Sequence, residues 1–483
     1  MNQAIRGAWV VAVTMFALVL GSLTYVQFFQ AAELTANPWN NRQLYQDFDR
    51  QRGAILVDGR AVAQSVPSDD QFNYQRIYGE PERYAHLTGF YSLSIGSTQL
   101  EDVESEILAG TSSSLFYDRV VSLFSGAEPG GASVELTIDP QLQQLASDLI
   151  PEGQRGSIVV LEPSTGRILA MVSKPTYDPN LLAGHDTSIV AENLAALTEQ
   201  PGLSVYTNPA TESLIAPGSV FKLIDAAAAL ESGEYDAESE IPNPPALEFP
   251  GIEYTLPNFV SGGCASRATA DLEFALEQSC NTAFAQIALD LGEEALRKQA
   301  ERFGFGEELS IPTRVLASIF PTDLTDLTDP ELAQSAVGQF DTRVTPLQMA
   351  MVAAAIANDG EQMKPQLVSS IRAADLELID SPQPETLRQS VSRETADQLT
   401  EWMVNVVDNG TAAGAQVAGV KVAGKTGTAE VTDSGDNAWF TGFAPADDPQ
   451  VAISIVMENV DIPTGQQLTS PSAKRLIEAV LNR

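Results

Sequence analysis

The chain has 483 residues, of which 44% are hydrophobic and 19% charged. That composition can bury a sizeable core, which excludes wholesale disorder, and the length suits two domains because single cores stop growing at roughly 250 to 300 residues. Lys and Arg number 27 against 64 Asp and Glu, a net charge of -37. Such a surface repels phosphate backbones, so the charge argues against a nucleic-acid partner.

An apolar segment without charged side chains lies at the N-terminus, from Gly7 to Phe29. As a helix it spans the roughly 30 Å hydrocarbon core of a bilayer, with Trp9 and Tyr25 near the two interfaces. The apolar stretch of a cleaved signal peptide is shorter, about 7 to 15 residues. Residues 1–32 are therefore predicted to be an uncleaved single-pass anchor. Arg6 on the short flank favours a cytoplasmic N-terminus, which places the rest of the chain outside the cell.

Residues 33–131 are predicted to form a small N-terminal domain of mixed strands and helices. Within it, Asp58-Gly59 lies between two short apolar runs. This is typical of a hairpin whose type I′ turn needs positive φ at both central residues. The Gly- and Pro-rich segment Ser125–Gly131 then indicates a domain boundary.

The second predicted domain, residues 132–483, has strand-like runs at both ends and alanine-rich helices between them. Asp139 and Pro140 are predicted to be the N-cap and the first residue of a helix. A turn at Pro163–Gly166 joins two apolar runs into a hairpin, and an amphipathic helix from Ser472 closes the chain. The predicted class is α+β, with an antiparallel sheet assembled from distant parts of the chain.

A serine and a lysine three residues apart are the first candidates for chemistry. Pro217 and Gly218 prevent a helix from extending backward, so Ser219 is expected in the first turn and Lys222 one turn later on the same face. A serine hydroxyl is a weak nucleophile until a base accepts its proton, and a desolvated amine with a lowered pKa can do so. The helix N-terminus also supplies free N–H groups for an oxyanion. Ser-x-x-Lys alone is a weak signal, because it occurs by chance in many chains.

Two further motifs follow in order. Ser279 and Asn281 flank Cys280 within or at the start of a second alanine-rich helix. A strand-like segment further on contains Lys425, Thr426, Gly427 and Thr428. The lysine and the threonines can bind a carboxylate, and the glycine is expected to let a substrate backbone approach closely. Each motif occurs once in the chain, so the ordered set is far more specific than any member of it.

Cysteine and histidine are too scarce for a convincing metal site. The chain has two of each, Cys264 and Cys280 with His86 and His185, and neither histidine has a partner at metal-binding spacing. We therefore expect no metal. If the second domain lies outside the cell, we expect a disulfide between the cysteines, and two small buried thiols are the alternative.

The three motifs, Ser-Val-Phe-Lys, Ser-Cys-Asn and Lys-Thr-Gly-Thr, resemble the active-site motifs of the penicillin-recognising serine transferases. The resemblance covers about Val134 to the C-terminus and includes the stretches LTIDPQLQ and VAGKTGTAE. With its anchor and its short non-polymerising region, the chain is similar to class B penicillin-binding proteins, most of all to the short actinobacterial type called penicillin-binding protein A. It departs from the family at Gly338-Gln339-Phe340, where Gly-Gln-Gly is frequent.

The resemblance implies the penicillin-binding transpeptidase fold, in which helices lie on both sides of an antiparallel sheet and an all-helical subdomain is attached. It implies a peptidoglycan D,D-transpeptidase that needs no cofactor, works through a serine acyl-enzyme and is acylated by β-lactams. The implied partners are stem peptides ending in D-Ala-D-Ala, the membrane, and, because no glycosyltransferase domain is present, a separate glycan polymerase of the SEDS family with division or elongation proteins.

Carried over residue by residue, the resemblance implies that Ser219 attacks the D-Ala-D-Ala carbonyl and that Lys222 accepts its proton. Ser279 would relay a proton to the departing D-alanine. The backbone N–H groups of Ser219 and Thr428 would form the oxyanion hole. The residues implied to hold the hydrogen-bond network are Asn281 and Lys425.

Three alternatives stay open at this point. A Ser-His-Asp hydrolase would have to use His185, for which a solvated loop position is expected instead. A D,D-carboxypeptidase of the same fold would let water resolve the acyl-enzyme. A non-catalytic anchored scaffold would have no need of a complete set of acylation motifs, which argues against it.

Overall fold

The structure, a computed structural model, describes residues 2–30, 34, 48–112, 130–259, 263–321, 327–375, 377–431 and 435–482. Its strands are β1 (Ile55–Val57), β2 (Arg60–Pro67), β3 (Tyr74–Tyr78), β4 (Tyr91–Ser92), β5 (Gly96–Ser97), β6 (Ser133–Leu136), β7 (Arg155–Leu161), β8 (Ile168–Lys174), β9 (Ile241–Pro242), β10 (Ala246–Glu248), β11 (Thr255–Pro257), β12 (Thr269–Ala270), β13 (Leu309–Ser310), β14 (Arg314–Val315), β15 (Glu361–Met363), β16 (Val368–Arg372), β17 (Leu378–Asp380), β18 (Thr386–Gln389), β19 (Ala423–Val431), β20 (Gly435–Ala444) and β21 (Val451–Val460).

The α-helices lie before, between and after these strands. They are α1 (Asn2–Thr24), α2 (Pro81–Thr88), α3 (Gln99–Val103), α4 (Ser105–Leu108), α5 (Pro140–Leu149), α6 (Asn180–Ala183), α7 (Thr187–Thr198), α8 (Pro209–Glu212), α9 (Lys222–Ser232), α10 (Leu272–Glu277), α11 (Asn281–Leu291), α12 (Glu293–Arg302), α13 (Asp329–Ala336), α14 (Pro346–Ala357), α15 (Arg393–Asp408) and α16 (Ile462–Leu481).

The N-terminal apolar segment is one continuous helix. Helix α1 passes directly into a π-helical turn at Tyr25–Phe29. Ile5–Phe29 is long and apolar enough to cross a membrane, and none of its apolar window is buried against the rest of the protein. The segment therefore fits a single-pass membrane anchor.

A six-stranded sheet joins the N-terminal region to later parts of the chain. Its order is β17-β16-β6-β1-β2-β3, with β1 and β6 parallel and the other pairs antiparallel. The predicted hairpin at Asp58-Gly59 connects β1 and β2, and both turn residues have positive φ, 50° and 70°. Because strands from both sides of residue 131 share this sheet, the domain boundary predicted there crosses a hydrogen-bonded unit and stays a prediction.

The second sheet has five antiparallel strands in the order β19-β20-β21-β7-β8. The predicted hairpin around Pro163–Gly166 is the β7–β8 pair. Both sheet faces are covered: Thr441 of β20 donates to the Met349 carbonyl oxygen of α14 (2.9 Å), while Ala438, on the opposite face, packs against Gly465 of α16. Helices on both sides of an antiparallel sheet confirm the predicted α+β fold, and they leave β19 as an edge strand.

Helices α9 to α13 form the subdomain beside this sheet, but it is not all-helical. Three two-stranded ribbons lie among its helices, pairing β9 with β12, β10 with β11, and β13 with β14. The segment from Pro242 to Pro257 contains five prolines, which remove backbone donors and prevent a helix there.

The starts of two helices can be compared with the sequence-based predictions. Asp139 accepts hydrogen bonds from the backbone N–H groups of Gln141 and Leu142 at the start of α5, which confirms the predicted N-cap. The closing helix is longer than predicted, because α16 begins at Ile462 and continues through Pro471. Proline normally ends a helix, so the sequence predicted only the part that follows Pro471.

Candidate active site

Ser219 lies in a tight turn that leads directly into helix α9. Gly218–Phe221 forms a 3-10 turn, and the α-helical conformation begins only at Lys222. The Phe221 ring stacks on Phe320, with ring centroids 5.7 Å apart and an angle of 7° between the ring planes. This contact stabilises the turn. Ser219 itself is half-buried. The turn predicted to be α-helical is therefore tighter than expected.

Three glycines let this turn pack against its neighbours at backbone distance. A Cβ on Gly218, which has φ +55°, would lie 2.3 Å from the Thr428 carbonyl oxygen of β19. A Cβ on Gly338 would lie 2.1 Å from the Gly218 carbonyl oxygen, and one on Gly427 would lie 2.8 Å from that of Pro217. The space at Gly427 is thus occupied by the protein's own turn. The expectation that Gly427 lets a substrate backbone approach closely stays a prediction.

The family departure at Phe340 keeps a glycine-like backbone. Phe340 has φ +53° although it carries a side chain, a conformation that costs an L-residue roughly 1 to 2 kcal/mol. Its carbonyl oxygen accepts a hydrogen bond from Arg343 Nη1 at 2.6 Å, which holds the turn in place. The substitution therefore leaves the local backbone suitable for packing against Gly218.

The Ser-Cys-Asn motif lies at a break between two helices. Helix α10 ends before the motif and α11 begins within it, and Ser279 between them adopts φ +61°. Asn281 is the first residue of α11. A disulfide joins Cys280 to Cys264, with the Cα atoms 5.5 Å apart. The motif is thereby tied covalently to the 3-10 turn Gly263–Ser266.

Lys222 is fully buried and directs its amine at this motif. Its Nζ donates to the Ser279 carbonyl oxygen (2.8 Å) and to Asn281 Oδ1 (2.7 Å), and it lies 3.3 Å from Ser279 Oγ. Burial lowers the pKa of Lys222 well below its usual value, and the charge of Lys425 lowers it further. A neutral amine has two N–H groups for the two short contacts and keeps its lone pair.

No hydrogen bond joins Ser219 Oγ to Lys222 Nζ among the described side chains. Lys222 follows Ser219 by three residues, so the two side chains leave the same side of the segment. Catalytic hydrogen bonds are often long in free enzymes and tighten when substrate binds. The arrangement is therefore compatible with proton transfer from Ser219.

Lys425 approaches the same hydroxyl from the sheet. Its Nζ donates to Ser279 Oγ and to the Thr426 carbonyl oxygen, both at 2.9 Å, and the side chain is fully buried. Burial lowers the pKa of Lys425 to about 7. The Ser279 hydroxyl thus bridges two lysines that belong to elements far apart in the chain.

The partly exposed residues of β19 alternate with its buried ones. Thr426 and Thr428 are partly exposed, and the Thr426 hydroxyl lies 2.7 Å from that of Thr411. Strand β19 is an edge strand, and its Thr428 carbonyl oxygen lies beside Gly218 of the serine turn. The oxyanion hole expected from the backbone N–H groups of Ser219 and Thr428 stays a prediction.

Several residues that the sequence analysis missed support the site. Trp439 of β20 is fully buried and donates from Nε1 to the Ala216 carbonyl oxygen (3.0 Å), just before the serine turn. Asn258 and Asn243 both hydrogen-bond Thr282, the residue after Asn281. Their only sequence signal is polar or aromatic residues in otherwise apolar surroundings.

Asp225, one turn after Lys222 on α9, is a fourth such residue. It is fully buried, and neither carboxylate oxygen has a hydrogen-bond partner among the described residues. Burial raises the pKa of Asp225 well above its usual value, against the opposing effect of Lys222. A neutral Asp225 leaves Lys222 without a counter-ion and so favours the free amine.

His185 is not the solvated loop residue that was expected. Its side chain is 7% exposed, its Nδ1 lies 2.5 Å from Asp70 Oδ2, and its ring packs edge-on against Phe72. No described contact joins it to Ser219. Its partners lie in the N-terminal region because α6 and the loop after it pack against β3 and β4. In the described part of the chain, no group of three His, Cys, Asp or Glu side chains is placed to hold a metal ion.

The fold and the motif geometry define a penicillin-recognising serine transferase, and comparison with known families agrees. The penicillin-binding protein transpeptidase domain matches residues 156–481, and the penicillin-binding protein A dimerisation domain matches residues 52–134. The chain belongs to the penicillin-binding protein transpeptidase family.

Comparison with individual proteins identifies a smaller group within this family. The peptidoglycan D,D-transpeptidase PbpA of Mycolicibacterium smegmatis is 40% identical over 100% of this chain and 99% of its own length. Structures of penicillin-binding protein A from M. tuberculosis, acylated by imipenem or by ceftriaxone, are 38% identical, cover 90% of this chain and 100% of their own, and have TM-scores of 0.85 and 0.84. The resemblance to class B enzymes of the penicillin-binding protein A type is confirmed.

Proposed function

We propose that this protein cross-links peptidoglycan as a serine D,D-transpeptidase and that β-lactams acylate Ser219. The observation that carries the proposal is one partly buried network of hydrogen bonds that joins Lys222, Ser279, Asn281 and Lys425. The acylated structures and the name of the full-length relative support it.

In the acylation step, Ser219 Oγ forms a bond to the carbonyl carbon of the penultimate D-alanine. Lys222 accepts the hydroxyl proton through its lone pair. Negative charge on the carbonyl oxygen is stabilised by the N–H groups of Ser219 and Thr428. The C–N bond to the terminal D-alanine then breaks, and Ser279 passes a proton from the lysines to the departing amine.

Deacylation reverses the proton path. An amine of a neighbouring stem peptide attacks the ester carbon, a C–N bond forms and the bond to Ser219 Oγ breaks. The proton lost by the amine returns to Ser219 through Lys222. Lys425, Thr426 and Thr428 bind the terminal carboxylate of the donor during acylation, since they present positive charge and hydroxyl donors along one strand.

The remaining assignments follow from the anchor and the family. The N-terminus lies in the cytoplasm, residues 33–131 form a non-catalytic pedestal and residues 132–483 form the transpeptidase domain outside the cell. Because the chain carries no glycosyltransferase domain of its own, a polymerase of the SEDS family and division or elongation proteins would supply the glycan strands.

Covalent labelling tests the proposal. A reporter penicillin should label the wild-type protein on Ser219, and Ser219→Ala should abolish the label while circular dichroism shows an unchanged fold. A folded wild type without label would leave the anchored scaffold as the function. Product analysis with an added acceptor amine separates the alternatives within the class, since a carboxypeptidase would release only the hydrolysed peptide.

A further inference from the structure

The loop that follows helix α15 contacts both the helix that precedes Ser279 and strand β19. A Cβ on Gly410 would lie 2.4 Å from the Glu277 carbonyl oxygen at the end of α10, and the Thr411 N–H group donates to the same oxygen at 3.4 Å. On its other side, the Thr411 hydroxyl lies 2.7 Å from the hydroxyl of Thr426. Because Glu277 is two residues before Ser279, the loop joins the elements that carry the second and third motifs.

The backbone on the far side of Thr411 is also held in place. Ala412 is fully buried, and its N–H group donates to the Val406 carbonyl oxygen of α15 at 3.0 Å. The Gln416 side chain donates to the carbonyl oxygen of Val407 at 3.0 Å. Thr411 itself is exposed. Its hydroxyl is therefore accessible to a ligand, while its backbone is fixed by contacts on both sides.

The pair of hydroxyl groups formed by Thr411 and Thr426 has one hydrogen left to donate. Each hydroxyl has one hydrogen and can accept more than one bond, so the contact between them uses one hydrogen of the two. Neither hydroxyl has a second hydrogen-bond partner among the described residues. Lys425 lies beside the pair, because its Nζ donates to the Thr426 carbonyl oxygen at 2.9 Å. An anion bound at Lys425 attracts the hydrogen of the Thr426 hydroxyl, which leaves Thr411 to donate within the pair.

We propose that Thr411 is a positioning residue for the terminal carboxylate of the donor, because it donates to Thr426 Oγ1 and so directs the Thr426 hydrogen at that carboxylate. This inference rests on the proposed function. Donation from Thr411 polarises the Thr426 O–H group, which strengthens the bond that this group makes to the carboxylate. Since the effect acts on the carboxylate and not on the reacting carbonyl, it belongs to the binding of the donor and not to the chemical step.

Acylation by benzylpenicillin tests this role, because its carboxylate takes the place of the terminal carboxylate of the donor. The dependence of the acylation rate on penicillin concentration gives the Kd of the non-covalent complex and the rate at saturation. Thr411→Val replaces the hydroxyl by a methyl group. It should raise the Kd about fivefold and change the rate at saturation less than about twofold. Thr411→Ala should give the same result, which keeps the test independent of how valine packs.

Three further variants assign the effect to the pair of hydroxyl groups. Thr426→Val should raise the Kd at least as much as Thr411→Val, and the double variant should bind no worse than Thr426→Val alone, because Thr411 acts through Thr426. Thr411→Ser keeps the hydroxyl and should bind penicillin as wild type does. Thr400→Val is the matched control on α15, since the Thr400 hydroxyl donates to the Ala396 carbonyl oxygen of its own helix (2.8 Å). It should leave both the Kd and the rate at saturation unchanged.

The results distinguish the role of Thr411 from the proposed function. An unchanged Kd in Thr411→Val, a loss confined to the rate at saturation, or effects of Thr411→Val and Thr426→Val that add in the double variant would overturn the positioning role. Acylation of Ser219 in wild type would still support the transpeptidase in each of these cases. A folded wild type that benzylpenicillin does not acylate would overturn the proposed function, and the role of Thr411 with it.

Discussion

Two buried lysines share the active site, and their different surroundings suit them to different tasks. Lys222 contacts a carbonyl oxygen and an amide oxygen, and burial together with the charge of Lys425 favours its neutral form. Lys425 contacts Ser279 and Thr426, and its pKa of about 7 keeps part of the population charged at neutral pH. One lysine is therefore suited to be a base and the other to bind a carboxylate.

The different roles of Lys222 and Lys425 predict how the acylation rate depends on pH. The second-order acylation rate should rise with pH as Lys222 loses its proton, and it should fall above about pH 7 as Lys425 loses its charge. Since the fall reports the free enzyme, the rate at saturating penicillin should not show it, because a bound carboxylate keeps Lys425 protonated. Stopped-flow acylation across the pH range measures both quantities.

Lys425→Arg is the control, since the guanidinium stays charged throughout. Its second-order rate should lack the falling limb. A falling limb that is unchanged in this variant would mean that another group limits binding at high pH.

At the scale of secondary-structure elements, the serine turn and strand β19 contact each other through backbone atoms. No side chain of the described residues lies between them that could move to relieve a clash. Gly218 contacts Thr428 on one side and Gly338 on the other, and the Gly218 N–H donates to the Gly338 carbonyl oxygen at 2.9 Å. The same elements carry the proposed nucleophile, Ser219, and the proposed oxyanion donor, Thr428. A small displacement here should therefore reduce catalysis before it unfolds the protein.

Gly218→Ala should cost about 3 kcal/mol of unfolding free energy, from positive φ and the clash with Thr428, and should lower acylation at least tenfold. Gly233→Ala is matched to it. Gly233 ends the same helix with φ +71° and has open space around its Cβ position. It should cost only about 1 kcal/mol and acylate normally. Equal effects of the two variants on acylation would show that backbone strain, and not the contact with β19, limits the reaction.

The disulfide holds the helix break that carries Ser279. Thiol titration of the unfolded, unreduced protein should detect no free thiol, and two should appear after reduction. Its 16-residue separation suggests that Cys264→Ser combined with Cys280→Ser lowers the unfolding free energy by about 3 kcal/mol. Two thiols before reduction would instead support the alternative of buried free cysteines.

Over the whole molecule, the N-terminal region and the transpeptidase domain share a sheet. Strand β6 pairs with β1 on one side and with β16 on the other, so its hydrogen bonds cross the predicted boundary. Gly53 approaches Ala132 so closely that a Cβ would lie 1.9 Å from its carbonyl oxygen. The two regions are therefore expected to unfold together.

A truncated protein beginning at Ala132 should be less stable and more prone to aggregate than one beginning at Phe48, because it exposes the edge of β6. Both lack the anchor, so the comparison isolates the shared sheet. Thermal unfolding and size-exclusion chromatography measure the difference. Equal melting temperatures would show that residues 132–483 fold independently of the N-terminal strands.

The sequence was sufficient for features set by neighbouring residues. The uncharged run to Phe29 predicts a spanning helix, Asp58-Gly59 a type I′ turn, and Asp139-Pro140 a helix start, because each depends on local hydrophobicity or on backbone conformations within a few residues. The three motifs could also be recognised from the sequence, since each is short and occurs once in the chain.

Only the tertiary structure decided how those motifs meet. It directs Lys222 to Ser279 and Asn281, turns Gly427 toward the serine turn, buries His185 against Asp70, and carries a sheet across residue 131. These contacts join residues far apart in the chain, so their geometry depends on how whole elements pack. Local pattern therefore determined which chemical groups are present, and long-range packing determined which of them touch.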